Sequence, residues 1–239
     1  MSATLAFLAA DSSAEARSPM HRLALAAGAR MQTRDGWAMA ADYGVGGVER
    51  GRLLGTVGFV DRSHLCKLEL HGDASELAGA ALAPGRAIRH RRYDSDSDGH
   101  LGAVWWCPLT PERTLALAEP SEAARLRAAV DTVPGVESVE VTTGLAALTL
   151  CGPRAAELLA RFCALDVRPG VTEPAAFRPG SVARTPGYLL REREDELLIM
   201  VGWALGEYLW TVVADAAAQL GGGPVGGAAL AAHREALGA

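Results

Sequence analysis

The densest run of residues with metal-binding chemistry is the acidic segment Asp94-Ser-Asp96-Ser-Asp98-Gly99. Carboxylates at alternate positions before a glycine open the calcium loop of EF-hand proteins, where they surround an ion that prefers oxygen ligands. The twelfth position of that loop requires a bidentate glutamate, and here it is Trp105. Arg91 and Arg92 also precede the acidic residues. The pattern therefore favours a solvated hairpin turn over a calcium site.

The six histidines and four cysteines do not occur at the spacings of common metal or redox motifs. No two histidines lie three or four residues apart, His64 and His71 are the nearest useful pair, and there is no C-x-x-C pair. A metal site built from them would need distant partners that the sequence does not reveal, so structural histidines and reduced, buried thiols are the favoured interpretation. No metal is predicted. The nucleophile elbow of hydrolases, the H-E-x-x-H pair and the phosphate-binding loop are also missing.

Several aromatic residues stand near predicted turns rather than inside apolar helices. They are Trp37, Tyr43, Trp105, Trp106 and Tyr188. Flat heteroaromatic ligands stack on such rings, and a mostly apolar pocket with a few polar groups would hold a pterin or a similar ring. Ordinary core or hinge packing is the alternative interpretation.

Composition limits the class of protein. The 239 residues carry a formal net charge of −5, with 49% hydrophobic side chains, so the chain can build a full core as one large domain or two small interlocked ones. An acidic balance argues against nucleic acid as a partner. The apolar start lacks the basic residues of a signal peptide, and the longest apolar stretch, 197–205, is about half of the ~20 residues that cross a bilayer. We therefore expect a cytoplasmic protein with no membrane association.

The spacing of apolar residues predicts a mixture of helices and strands. Predicted helices cover 20–29, 49–54, 73–82, 120–130, 154–163 and 206–220. Predicted strands cover 65–70, 101–107, 115–118, 136–141, 145–150, 181–190 and 197–201. Because the order is not a strict βαβ alternation, an α+β fold with antiparallel sheets is predicted. Residues 1–17 are predicted to form a loosely attached N-terminal arm, and residues 18–239 to form the folded domain.

A series of landmark segments runs along the chain from residue 18. They are Ser18-Pro-Met-His-Arg-Leu23, Gly36-Trp37-Ala-Met39, Tyr43, Glu49-Arg50-Gly51, Gly58-Phe-Val-Asp61-Arg-Ser63-His64-Leu-Cys-Lys67-Leu-Glu-Leu-His-Gly72, Ala83-Pro-Gly-Arg86 and Leu145 to Ala155. In this order they resemble the glycine cleavage system T-protein, an aminomethyltransferase that uses tetrahydrofolate. The stretch from Cys163 to Thr185 and Gly206-Glu-Tyr-Leu-Trp210 are closer to the gamma subunit of heterotetrameric sarcosine oxidase, a relative of the T-protein.

The resemblance implies a T-protein-like folate-binding fold of two interlocked α/β subdomains with antiparallel sheets. It implies tetrahydrofolate as cofactor, a small-molecule ligand, and oxidase subunits as partners. The positions it suggests for holding the folate are Trp37, Tyr43, Arg184, Tyr188 and either Asp195 or Glu196. A glutamate in the matching family segment binds the pterin. Whether Asp195 or Glu196 corresponds to it depends on a two-residue shift in the alignment.

Two departures from the family pattern affect the expected activity. The family's catalytic aspartate follows the helix after the Gly72 segment, whereas this chain passes from Ala81 to Ala83-Pro84-Gly85, so that acid is expected to be lost. The chain also ends soon after Pro224-Val-Gly, so the family's C-terminal barrel domain is expected to be absent.

Three hypotheses follow from these departures. The first is a folate-binding protein that acts as a gamma-like subunit of an amine oxidase or as a one-carbon carrier. The second is a stand-alone enzyme with a pocket that binds another small molecule instead of folate. In it, Asp61, His64, Tyr188 or Asp195 supplies acid–base chemistry. The third is a structural protein with a pocket filled by Trp105 and Trp106.

Overall fold

The computed structural model describes residues 15–44, 46–90, 103–168 and 170–238. The acidic turn at 94–99 and most of the arm predicted for residues 1–17 lie outside these residues. A small N-terminal sheet has the order β1-β3-β2 and packs beside helix α1. Its elements are β1 (Ala16–Arg17), α1 (His21–Ala26), β2 (Arg30–Arg34) and β3 (Trp37–Asp42).

The tight connection between β2 and β3 is set by Asp35 and Gly36. Both residues have positive φ values, 51° and 77°, which a two-residue hairpin requires at its centre. The Asp-Gly dipeptide is a strong hairpin signal, yet the periodicity analysis predicted neither strand.

A six-stranded sheet forms the larger layer and has the order β11-β12-β13-β10-β4-β14. Its strands are β4 (Gly58–Asp61), β10 (Leu145–Cys151), β11 (Phe177–Val182), β12 (Thr185–Arg193), β13 (Glu196–Gly202) and β14 (Gly223–Pro224). All pairings are antiparallel except the short one between β14 and β4. One face is covered by α1, α5 (Ala155–Ala160) and α6 (Gly206–Ala218), and Phe59 meets Trp210 there edge to face at 5.0 Å between ring centroids.

A five-stranded antiparallel sheet forms the second layer and has the order β6-β7-β8-β5-β9. Its strands are β5 (Cys66–His71), β6 (Ile88–His90), β7 (Val104–Thr110), β8 (Arg113–Ala118) and β9 (Glu137–Glu140). Helices α3 (Ser75–Ala78) and α4 (Ala123–Asp131) cover its outer face, and a short 3₁₀ turn at Pro120–Glu122 precedes α4. This arrangement confirms the predicted α+β class with antiparallel sheets.

The inner faces of the two sheets meet in one shared apolar cluster. It joins Leu115 and Leu117 of β8 to Phe177, Leu198 and Met200 of the six-stranded sheet. Helices α2 (Gly46–Gly55) and α7 (Gly227–Ala236) pack together and close one end of the six-stranded sheet. Because the strand order leads the chain from one sheet to the other between β4 and β5, the loop at 62–65 stands at the junction of the two layers.

Several boundaries differ from those predicted. The helix predicted for 73–82 is only Ser75–Ala78, because Gly79 adopts a left-handed conformation (φ 68°) that ends it. The strand predicted for 181–190 is two strands, with a turn at Ala183 and Arg184, both at positive φ. Helix α7 was not predicted, whereas the helix predicted for 206–220 is confirmed as Gly206–Ala218. Among the helices of the described residues, none combines the length and apolar character that crossing a bilayer would require.

Candidate functional site

The loop between β4 and β5 carries Asp61 and His64 and is fixed from beneath by a buried lysine. Lys67 has no exposed surface, and its Nζ donates hydrogen bonds to the carbonyl oxygens of Ser63 (2.8 Å), Leu65 (2.9 Å) and Thr142 (3.4 Å). The Ser63 backbone N–H donates to Asp61 Oδ1 at 2.9 Å. The loop is therefore held rigidly, as a site that positions functional groups requires.

The environment shifts the protonation equilibria of both candidate acid–base residues. Burial raises the pKa of Asp61, although hydrogen bonds from Ser18 and Ser63 oppose the shift. Burial, followed by the positive charges of Arg62 and Lys67, lowers the pKa of His64 well below its usual value. His64 is therefore a neutral imidazole at physiological pH, in which one ring nitrogen donates a hydrogen bond and the other accepts one.

Two cavities flank this loop and meet at three shared charged residues. The Asp61 cavity, of about 250 Å³, is lined by Asp61, His64, Arg62, Glu119 and Arg234, among others. The Trp105 cavity, of about 260 Å³, is lined by Trp105, Arg89, Glu192 and the same Arg62, Glu119 and Arg234. Each volume lies just below the range of about 300–1,000 Å³ that is usual for small-molecule pockets. The two cavities together would fall within that range.

An ion-pair network divides the two cavities. Arg62 donates to Glu119 at 2.8 Å, and its Nη1 lies 4.0 Å from Glu192. Arg234 donates to Glu192 at 3.0 Å and to Glu196 at 2.9 Å. Burial opposes ionisation of Glu192, but the attraction of Arg234 and Arg62 outweighs it and lowers the pKa of the carboxyl group. Arg62 Nη1 is buried without a hydrogen-bond partner, so a donor remains available to an anionic ligand group.

Three of the residues singled out in the sequence converge on this region. Trp37, Asp61 and His64 line one narrow crevice beside the Asp61 cavity, and the Trp37 ring contacts Trp203 edge to face at 6.3 Å. Tyr43 is half-buried, and burial together with the charges of Asp61 and Glu49 raises the pKa of its phenol.

The remaining candidates lie elsewhere. Tyr188 stacks on Phe177 at 5.7 Å, and Arg184 is exposed in the turn between β11 and β12. Glu196 is buried against Arg234, and Asp195 is half-buried beside His233. None of these four is among the residues that line the Asp61 or Trp105 cavities.

Trp105 and Trp106 lie in different environments. Trp105 lines its cavity with the Arg89 guanidinium 5.8 Å above its ring, whereas Trp106 is buried in the core of the five-stranded sheet. Since Trp105 borders an open cavity and Trp106 is not among the residues that line it, the hypothesis of a pocket filled by both rings loses its main support.

Most charges of the network were not among the residues predicted from the sequence. Arg62 lies within a quoted segment, but Glu119, Glu192 and Arg234 come from the end of β8, from β12 and from α7. The one available signal was Lys67, an isolated lysine in an apolar strand pattern, which indicates a buried and partnered cation.

Comparisons with known proteins agree with the resemblance. No protein-family model matches the chain. An aminomethyltransferase of Frankia alni is 31% identical over 232 residues, which covers 88% of this chain and 60% of that relative. An aminomethyltransferase of a Picosynechococcus species is 38% identical over 73 residues, covering 30% of this chain and 20% of that relative. The chain thus spans less than two thirds of the length of these curated relatives.

Two solved structures share the fold. The glycine cleavage system aminomethyltransferase T from Bartonella henselae superposes with a TM-score of 0.72 at 19% identity, covering 90% of this chain and 60% of that chain. A chain of the heterotetrameric sarcosine oxidase from Corynebacterium sp. U-96 superposes with a TM-score of 0.60 at 22% identity, covering 86% of this chain and 96% of that chain. The chain is therefore similar in sequence to aminomethyltransferases over most of its length, and it has the T-protein-like fold that these two structures share.

Proposed function

We propose that the chain binds tetrahydrofolate in the joined Asp61 and Trp105 cavities and serves one-carbon or amine metabolism. The observation that carries this proposal is the pair of cavities at the junction of the two sheets, lined by both carboxylates and arginines in a T-protein-like fold. A reduced pterin offers N–H donors to a carboxylate, and the glutamate tail of folate offers carboxylates to guanidinium groups. The site contains both kinds of partner.

Within this proposal Glu192 is the carboxylate that holds the pterin. Asp195 and Glu196 were the sequence-based candidates, but neither residue lines the cavities. Glu192 lies on β12, shortly before these two residues in the chain, and it lines the Trp105 cavity. Its lowered pKa keeps the carboxyl group ionised. Trp105 would supply the stacking surface, and Arg62, with its free Nη1, would take a carboxylate of the tail.

The tetrahydrofolate proposal requires the dividing ion pair to open. Each cavity alone is too small for a folate, so Arg62 and Glu119 must separate when the ligand occupies both. Glu119 is about half exposed, so water can solvate its carboxylate when it separates from Arg62. The ligand would then bind those conformations of the protein in which Arg62 and Glu119 are already separated.

Isothermal titration with tetrahydrofolate tests the proposal, with folinic acid as a competitor. We expect saturable heat for the natural chain and a loss of about tenfold or more in affinity for Glu192→Gln, since a hydrogen bond to a charged group contributes roughly 1.5–3 kcal/mol. The matched control is Glu137→Gln on the exposed strand β9, which should bind as the natural chain does. Absence of heat and of competition would reject a folate site.

The assembly proposal is that the chain acts as a gamma-like subunit of an amine oxidase, without the usual catalytic aspartate. Support comes from the sarcosine oxidase chain, which is matched over 96% of its own length, and from the shortened Ala81 to Gly85 segment. Neighbouring genes for oxidase subunits, and a stable complex on co-expression with them, are the expected results. A chain that stays monodisperse alone and forms no such complex would contradict this role.

A stand-alone enzyme acting on another small molecule is the second candidate. The separate cavities of about 250 Å³ favour a ligand smaller than folate, and neutral His64 beside Asp61 offers an acid–base pair. Turnover of a candidate substrate by the purified chain should then fall at least about tenfold in both Asp61→Asn and His64→Ala. Unchanged rates in these variants would remove the two residues from the chemistry.

A further inference from the structure

A thiol, a carboxylate and an imidazole meet at one end of the six-stranded sheet, outside the two cavities. Cys151 at the end of β10 is the direct cross-strand partner of Glu196 at the start of β13, so both side chains lie on the same face of the sheet. Helix α7 crosses that face, where Leu230 packs in one cluster with Cys151. His233, three residues further along the helix, stands on the same side.

The three potential ligand atoms lie close together and are shielded from water. The thiol sulfur, a carboxylate oxygen and an imidazole nitrogen are all within 4.8 Å of one another. Cys151 and Glu196 have no exposed surface, and the His233 side chain is 7% exposed. Zinc bonds of about 2.0–2.3 Å in a tetrahedron place ligand atoms about 3.3–3.8 Å apart, so contraction by about 1 Å would complete the site.

One imidazole nitrogen of His233 and one carboxylate oxygen of Glu196 lack hydrogen-bond partners. His233 Nε2 and Glu196 Oε1 are both buried without one. Asp195 Oδ2 lies 3.5 Å from His233 Nε2, and Arg193 Nε lies 3.8 Å from Glu196 Oε1. Both distances exceed those of good hydrogen bonds. Buried polar atoms without partners are costly, and a cation between them would satisfy both.

The surrounding charges hold the carboxylate in place. Arg234 donates to Glu196 Oε2 at 2.9 Å, whereas Oε1 accepts no hydrogen bond and keeps its lone pairs for another partner. The positive charge of Arg234 is balanced by Glu192, which accepts a second bond from it at 3.0 Å. Asp195 adds a further carboxylate beside His233. Bonds of this kind, which orient a ligand from behind, are typical of protein metal sites.

A route from solvent reaches the cluster. A groove of about 830 Å³ runs between α2 and α7, and His233 is one of its lining residues. Asp42 and Glu49 line the same groove together with Arg30 and Arg50, so the charges of its wall are balanced. A divalent cation can therefore approach the imidazole without unfolding of the core.

We propose that Cys151, Glu196 and His233 bind one divalent cation of the zinc type, with the fourth position open to water or to Asp195. Sulfur, nitrogen and carboxylate oxygen together are the ligand set that zinc favours. On binding, the thiol releases its proton to solvent and the sulfur–metal bond forms, with no change in oxidation state. None of the three proposed ligands lines the proposed folate cavities, and Arg234 links the two places through its bonds to Glu192 and Glu196.

Titration of the reduced, chelator-treated chain with Co²⁺ tests the proposal. We expect one equivalent to produce a thiolate-to-cobalt charge-transfer absorption and visible d–d bands, both abolished by added Zn²⁺. Cys151→Ser should remove the charge-transfer absorption, whereas Cys163→Ser, which alters another buried thiol, should retain it. Absence of the absorption in the natural chain, or its survival in Cys151→Ser, would overturn the proposal.

A second variant covers the case in which the cysteine variant does not fold. His233→Asn changes a residue near the end of α7 at the groove, and we expect it to weaken Co²⁺ binding by at least about tenfold. The control is His71→Asn, which removes an exposed imidazole on β5 and should bind as the natural chain does. Equal affinity of the His233→Asn variant and the natural chain would also overturn the proposal, whatever the tetrahydrofolate titration gives.

Discussion

Lys67 is the residue on which the geometry of the β4–β5 loop depends. Its ammonium satisfies carbonyl oxygens of Ser63, Leu65 and Thr142, and replacement by Met leaves all three without this donor. An unsatisfied buried acceptor costs about 1–3 kcal/mol, so we expect Lys67→Met to lower the free energy of unfolding by roughly 2 kcal/mol or more. Urea denaturation of both chains measures the difference.

The ionisation of Lys67 makes the difference in unfolding free energy between the natural chain and Lys67→Met depend on pH. Burial lowers the pKa of Lys67 to about 7, although the charge of Asp61 opposes the shift, whereas its ordinary value is 10.5. Between these values the unfolded chain binds more protons than the folded one, so the Lys67 contribution to stability rises with pH. The gap between the natural chain and Lys67→Met should therefore widen from about pH 7 to about pH 9, by at most roughly 1.4 kcal/mol per pH unit. A gap that stays constant would contradict the lowered pKa.

At the scale of single residues, the sequence predicted the part of the site that is local in the chain. Asp61 and His64 share one loop, and Trp37 was found from its place near a turn; the structure brings these three together. Glu119, Glu192 and Arg234 belong to separate elements. No local sequence pattern distinguishes a charged residue that forms a buried ion pair from one that lies on the surface. The same reason explains why no metal was predicted, since Cys151, Glu196 and His233 meet only through strand pairing and helix packing.

Among the secondary-structure elements, α7 has the largest effect on both sites, because it carries His233 and Arg234. Its start is fixed by Glu49 of α2, which accepts hydrogen bonds from the backbone N–H groups of Tyr43 and Gly226, each at 2.7 Å. One buried carboxylate thereby joins the end of β3, α2 and the start of α7. At the start of α7, the backbone of Gly226 also packs very closely against the backbone of Ala41 in β3.

Gly226→Ala tests that packing. A Cβ at this position would lie 2.0 Å from the carbonyl oxygen of Ala41, so α7 must move, and overpacking of this kind costs about 1–3 kcal/mol. We expect the thermal midpoint to fall by roughly 2–10 °C and the affinities for tetrahydrofolate and Co²⁺ to fall with it. The control is Gly227→Ala, where the nearest atom is 3.7 Å away and the helix gains a better helix former. Equal midpoints for the two variants would contradict this account.

The sequence located most core elements but not their ends. Periodicity identified 206–220 and 145–150 because their apolar faces are buried in one continuous cluster. It merged β11 with β12 because the turn between them uses Ala183 and Arg184 at positive φ, a conformation normally signalled by glycine or asparagine. Helix α7 was missed because its many alanines give little contrast between a buried and an exposed face.

For the whole molecule, the sequence predicted two interlocked subdomains, and the shared cluster between the sheets gives this prediction a physical basis. Leu117 of β8 packs with Leu198 and Met200 of β13, so neither sheet has a complete core without the other. The loop at 62–65 and the pairing of Arg62 with Glu119 add polar links across the same junction. Residues 18–239 should therefore unfold as one cooperative unit.

Hydrogen exchange tests this cooperativity with two reciprocal variants. Leu126→Ala creates a cavity under α4, in the core of the five-stranded sheet alone, and Leu158→Ala does the same under α5 in the six-stranded sheet. Such changes cost about 2–5 kcal/mol, so the slowest amides should exchange roughly 30-fold faster or more. Because the shared cluster couples the layers, we expect each variant to accelerate exchange in both β8 and β13. Acceleration confined to the sheet that carries the substitution would mean that the two subdomains unfold separately.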